Sequence, residues 1–273
     1  MTNETILVPQ RRIVEARPFY ADRTDKALKE LEDTRNPSYE AAYMPEIIDA
    51  RIDIFNADSE NARNHFMFQN WFKTLSLRAT GKTRQGNAVI VYAHVPNDFS
   101  KSANITKAIE QGLTNGAGKM PQSEFQRLLD LQDDKLVYVI DHKALMESPS
   151  GAISVKDARK HLQTKPFLGQ RADEYLDVHE KVYGSQIGNW RSDDLHDVPF
   201  GRLLVVGDHG NYGLDGDSDL GYGAHFLGVR KGTGEACAQK FFPPQDKLVE
   251  IINECVATPL QQQVKERVSA LYR

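Results

Sequence analysis

Cysteine is scarce in this chain, and long apolar runs are absent from it. Only Cys237 and Cys255 occur in 273 residues, too few for the disulfide framework of a small secreted domain. Cys255 falls on the apolar face of a predicted helix and reads as a packed thiol. No apolar stretch approaches the ~20 residues that span a bilayer. The opening MTNETILVPQRR lacks a basic start followed by an apolar core, so no secretory leader is read there and a cytoplasmic location is expected. An excess of basic charge is also missing. Lys+Arg number 34 against 38 Asp+Glu, a net charge of −4, which argues against nucleic acid as the main partner. Nothing in the composition sets an oligomeric state.

What is present reads as one soluble α/β domain over residues 1–273. The hydrophobic share is 40% and the charged share 26%, both ordinary for a globular protein. The first 85 residues read as largely helical. Thr24 starts a helix carrying Ala27, Leu28 and Leu31, and Pro45 opens another with Ile48, Ile52 and Phe55 on one face. Phe68, Trp71, Phe72 and Leu75 recur at i, i+3, i+4 and i+7, which predicts a third helix over 59–77. The segment RATGKTRQGN, 78–87, reads as an exposed loop. From residue 86 apolar runs alternate with helical patterns, which predicts a mainly parallel sheet of about four to six strands with helices on both faces, closed by C-terminal helices.

Three of the apolar runs end in histidine: AVIVYAH at 88–94, LVYVIDH at 136–142 and LLVVGDH at 203–209. Parallel strands place their C-terminal ends on one edge, where open α/β sheets bind ligands. His94, Asp141, His142, Asp208 and His209 are therefore expected to converge. Imidazole with carboxylate suits Zn²⁺, Mn²⁺ or Fe²⁺. A divalent ion of that kind ionises bound water into a nucleophile. His94, Asp141, His209 and His225 are the candidate metal ligands, and Asp208, His209 and His142 the candidate catalytic groups. His179 shares a helical face with Tyr175 and Val182 and reads as a core histidine.

The stretch from 207 to 223 holds six glycines and four aspartates. Glycine lets backbone approach a ligand closely, and Asp215, Asp217 and Asp219 alternate as in calcium loops. Leu220 and Phe226 then stand where such a loop needs its turn glycine and its bidentate glutamate. LLVVGDHGN resembles the strand and Asp-His-Gly of the alkaline phosphatase superfamily, and His225 before FLGVR resembles that family's later metal-binding histidine. That family also uses a Ser or Thr nucleophile and a separate Asp-xxx-His motif, to which no residues are assigned. Asp217-Ser218-Asp219 after Gly207-Asp208 loosely resembles the nucleotidyltransferases of the polymerase-β type. The histidines and aspartates at the strand ends point to a metal-dependent hydrolase, with a small-molecule phosphoester as the favoured substrate. The alternative is a non-catalytic ligand- or partner-binding protein with loop 207–223 as its recognition surface. As a separate binding element, Asn189, Trp190, Arg191 and Ser192 offer an aromatic plane and a cation.

Overall fold

The computed structural model describes residues 13–34, 39–192, 195–207 and 213–231. In chain order the strands are β1 (Ile13–Ala21), β2 (Glu40–Ala41), β3 (Phe72–Lys82), β4 (Ala88–Ala93), β5 (Gly118–Lys119), β6 (Val137–Asp141), β7 (Gly151–Ser154), β8 (Gln186–Arg191), β9 (Phe200–Val206), β10 (Leu214–Gly216) and β11 (Ala224–Lys231). The helices are α1 (Thr24–Asp33), α2 (Met44–Ala57), α3 (Phe66–Gln69), α4 (Ser102–Glu110), α5 (Gln122–Asp130), α6 (His142–Met146), α7 (Val155–Ala158), α8 (Thr164–Leu168) and α9 (Ala172–Tyr183).

The eleven strands form one mixed sheet with the path β1-β11-β3-β9-β10-β8-β7. Among the described residues, only β11–β3 and β10–β8 pair in parallel. The expectation of a mainly parallel sheet of four to six strands is therefore corrected. Apolar runs misled because a strand buried on both faces reads the same whatever its direction. Leu203 and Leu204 of β9 pack into different hydrophobic clusters, so this antiparallel strand needs no polar face. One cluster gathers Ile47, Ile48, Phe68, Phe72, Tyr175 and Leu204. The other gathers Phe19, Leu28, Leu77, Phe99, Phe125 and Phe226.

The helical reading of the N-terminal region also fails in places. Residues 13–21 are a strand paired antiparallel to β11. The helix expected over 59–77 breaks after α3, and from Lys73 onward the period is two, with Leu75, Leu77 and Ala79 in one cluster. That strand runs to Lys82, so the first half of the stretch expected to be a loop is strand, with Arg78 buried within it, and the turn follows at 83–87. The C-terminal helices lie outside the described residues.

β3 is the hinge of the sheet. Its first half pairs with β11 at Lys73, and its second half with β4 from Leu77 to Lys82. On its other side β9 follows it with an irregularity between Lys73 and Leu77. The sheet forks where β3 changes neighbour, and polar groups fill the fork. The Met44 amide donates to Ser76 Oγ at 2.8 Å, and Ser76 Oγ lies 2.8 Å from His94 Nδ1. His94 Nε2 lies 3.0 Å from the Pro166 carbonyl. That carbonyl only accepts, so Nε2 carries the proton and Nδ1 accepts from the Ser76 hydroxyl.

Candidate functional site

The three strand ends do not converge. β4 and β6 are antiparallel neighbours, with Val89 opposite Asp141 and Ala93 opposite Val137. His94 therefore lies at one end of the pair and Asp141 and His142 at the other. His94 is 4% exposed with both ring nitrogens engaged, and burial lowers its pKa to about 4. Asp141 caps α6 by accepting from the Ala144 amide at 2.8 Å, and His142 is the first residue of that helix. Asp208 and His209 lie outside the described residues. His225 stands apart, among aromatic rings. Among the described residues, no group of three or more His, Cys, Asp or Glu is placed to hold a metal ion.

A different constellation emerges around residues 207–223. Four buried cations hold the main chain of this region and of its neighbour at 192. Arg51 donates to the carbonyls of Met67 at 2.8 Å, Asn70 at 3.0 Å and Gly207 at 2.9 Å, and to Tyr175 Oη at 2.7 Å. Lys73, 1% exposed, donates to the Asp219 carbonyl at 2.6 Å and to Thr24 Oγ1 at 2.9 Å. The Thr24 hydroxyl in turn donates to the Tyr222 carbonyl at 3.0 Å. Arg202 reaches the carbonyls of Asp217 and Asn115. Arg78 holds the Ser192 hydroxyl at 3.0 Å and its carbonyl at 2.6 Å. Charge-assisted bonds of this kind contribute about 1.5–3 kcal/mol each.

Neutral main-chain bonds complete the frame. Gly207 N–H donates to Gly213 O at 2.9 Å, and Leu220 N–H to Gly116 O at 2.9 Å. Leu220 itself is fully buried and anchors the loop in the second cluster. Gly116 has φ +80°, and a Cβ there would stand 2.6–2.8 Å from Asp219 atoms, so only glycine fits this crossing. Asp219 turns its carboxylate back onto the Gly221 amide.

The electrostatics follow from burial. Desolvation lowers the pKa of Lys73 to about 8, against the pull of Asp215 and Asp219. Desolvation and the neighbouring Asp217 carboxylate raise Asp215 to about 7, against the pull of Lys73.

With the main chain fastened from below, several side chains are left outward. Tyr222 is 72% exposed and Tyr20, beside Gly223, is 55% exposed. Asp217 is exposed and Trp190 partly so. Arg191, read from the sequence as a cation that a separate loop could present, is turned onto the carbonyls of Met146 and Ser148. Sequence reasoning missed this fastening role, although two of the cations left a signal. Arg51 lies on the apolar stripe of α2, four residues from Ile47 and three from Ile48. Lys73 precedes Leu75, Leu77 and Ala79 at the strand period of two. A cation on an apolar face is the signature of a buried anchor.

No family model matches the chain, and no curated protein does. The chain is similar to a solved structure described as "Accommodation of massive sequence variation in Nanoarchaeota by the C-type lectin fold", at 46% identity and a TM-score of 0.71. The match covers 79% of this chain and 97% of that one. It overturns the expectation of a metal-binding hydrolase and favours the binding alternative. At this identity and coverage, the chain belongs to the C-type lectin-fold family.

Proposed function

We propose that this chain is a non-catalytic binding protein whose recognition face is the layer formed by residues 189–192 and 213–225. The observation that carries this reading is how the layer is held. Asp217, Asp219 and Tyr222 are fixed through their carbonyls by Arg202, Lys73 and Thr24. Main-chain fastening sets the loop's shape without drawing on the side chains of Asp217, Ser218 or Tyr222 as anchors. Those positions are therefore free to serve a ligand, and the frame tolerates changes at them. The solved neighbour is described as accommodating massive sequence variation; the fastening gives a physical means for the same tolerance here. A rigid scaffold with outward loop side chains is a common architecture for binding.

The test is a displayed library in which Asp217, Ser218 and Tyr222 are randomised together. Most clones are expected to stay folded, and selection against an unrelated protein such as lysozyme is expected to enrich binders whose affinity depends on the new residues. Widespread unfolding, or enrichment through mutations elsewhere, would count against the reading.

A further inference from the structure

Beside the loop layer, four aromatic rings surround one histidine. The centroids of Tyr20, Phe66, Trp71 and Phe72 lie 5.3–6.2 Å from that of His225. Tyr20 is mostly exposed, and Phe66, Trp71 and His225 are half-buried. Among the described residues, His225 has no hydrogen-bond partner for either ring nitrogen. The cup is continuous with the loop layer. Trp71 follows Asn70, whose carbonyl shares Arg51 Nη2 with that of Gly207, and Tyr20 Oη approaches Gly223.

Every group here favours a positive ligand. Aromatic faces carry negative potential and attract ammonium and guanidinium groups. Partial burial favours the neutral form of the His225 imidazole, which offers a lone pair to an N–H donor. Among the described residues beside the cup, 213–225 carry Asp215, Asp217 and Asp219 and no Lys or Arg. Several cations nearby are already engaged. Arg51 and Lys73 face carbonyls, Arg23 pairs with Asp25, and Lys26 pairs with Asp22.

We propose that this face binds a basic protein or peptide, with a lysine or arginine side chain seated against Tyr20, Trp71 and His225, Asp217 supplying complementary charge and Asp22 exchanging its exposed partner Lys26 for the ligand. The proposal rests on the binding reading above and adds the chemistry of the partner.

Fluorescence anisotropy with a labelled oligo-arginine peptide tests it, with a labelled oligo-glutamate peptide alongside. The protein is expected to bind oligo-arginine and not oligo-glutamate, less tightly as salt rises. Tyr20→Ala is expected to weaken binding by roughly fivefold or more. Because Tyr20 is mostly exposed, that variant keeps its fold even if Trp71→Ala does not. The double change Asp22→Asn with Asp217→Asn is expected to weaken binding. Asp130→Asn with Glu147→Gln removes the same charge from α5 and the end of α6 and is expected to leave binding unchanged. Equal loss in both charge pairs, no effect of Tyr20→Ala, or preference for oligo-glutamate would each overturn the proposal. If oligo-arginine fails to bind while the randomised library still yields loop-dependent binders, the cationic preference alone is wrong. If the library fails too, the binding face itself is wrong.

Discussion

Lys73 and Asp219 meet side chain to main chain: the ammonium of one donates over 2.6 Å to the carbonyl of the other. The Asp219 carboxylate is thereby left out of the bond and serves the Gly221 amide instead. The same division recurs at Arg202 with Asp217, and at Arg51 with Gly207. These bonds use the side chains of the buried cations and only the main chain of the loop residues they hold.

Arg51 is the anchor with the most partners. Arg51→Met strips donors from Met67, Asn70, Gly207 and Tyr175 at once. A loss of about 3 kcal/mol or more is expected in urea unfolding. Arg51→Lys should recover only a fraction, because one ammonium cannot span acceptors placed for a planar fork.

Two glycines separate crowding from backbone strain. Gly116 and Gly86 both have positive φ, +80° and +86°, but a Cβ meets Asp219 at the first and open space at the second. Gly86→Ala is expected to cost about 1–2 kcal/mol from the left-handed backbone alone. Gly116→Ala is expected to cost clearly more and to loosen the 217–221 segment, which amide hydrogen exchange would show at Leu220.

Acid should destabilise the fold through its histidines. His94 and His179 both titrate at about 4 in the folded chain, against ~6.5 when unfolded. Between these limits the unfolded state binds more protons, so stability rises with pH and is lost on acidification. Asp215, pushed up to about 7, acts in the opposite sense, because the fold keeps a proton that the unfolded chain releases above ~3.9. Two imidazoles against one carboxyl leave a net loss of about 2–3 kcal/mol from pH 6.5 to 4. Urea midpoints measured across that range should fall with pH. His179→Gln should flatten the slope; a slope unchanged in that variant would remove His179 from the account.

Much of the element map was legible in the sequence, and its topology was not. The runs at Ala88, Val137, Leu203 and Ala224 do form strands, and the periodic segments after Thr24, Pro45 and Pro121 do form helices. Strand direction left no trace, because both faces of β4 and β9 are buried. β1 was hidden by Pro18 and by charged residues at Glu15 and Arg17, which break an apolar pattern at a sheet edge. Loop 207–223 stood out through its glycines and aspartates. Its anchors did not, because lysine and arginine are read as solvent-facing unless their place on an apolar stripe is weighed.

Thermal unfolding of two variants tests the central claim most directly. One is the triple change Asp217→Ala, Ser218→Ala, Tyr222→Ala, which alters the loop's side chains and keeps its main-chain bonds. The other is Lys73→Met, which keeps every loop residue and removes the ammonium that holds Asp219 and Thr24. The triple variant is expected to melt within about 2 °C of the parent, and Lys73→Met several degrees lower, for a loss of about 1.5–3 kcal/mol. A large fall in the triple variant beside an unchanged Lys73→Met would mean that the side chains hold the loop, and would contradict the account.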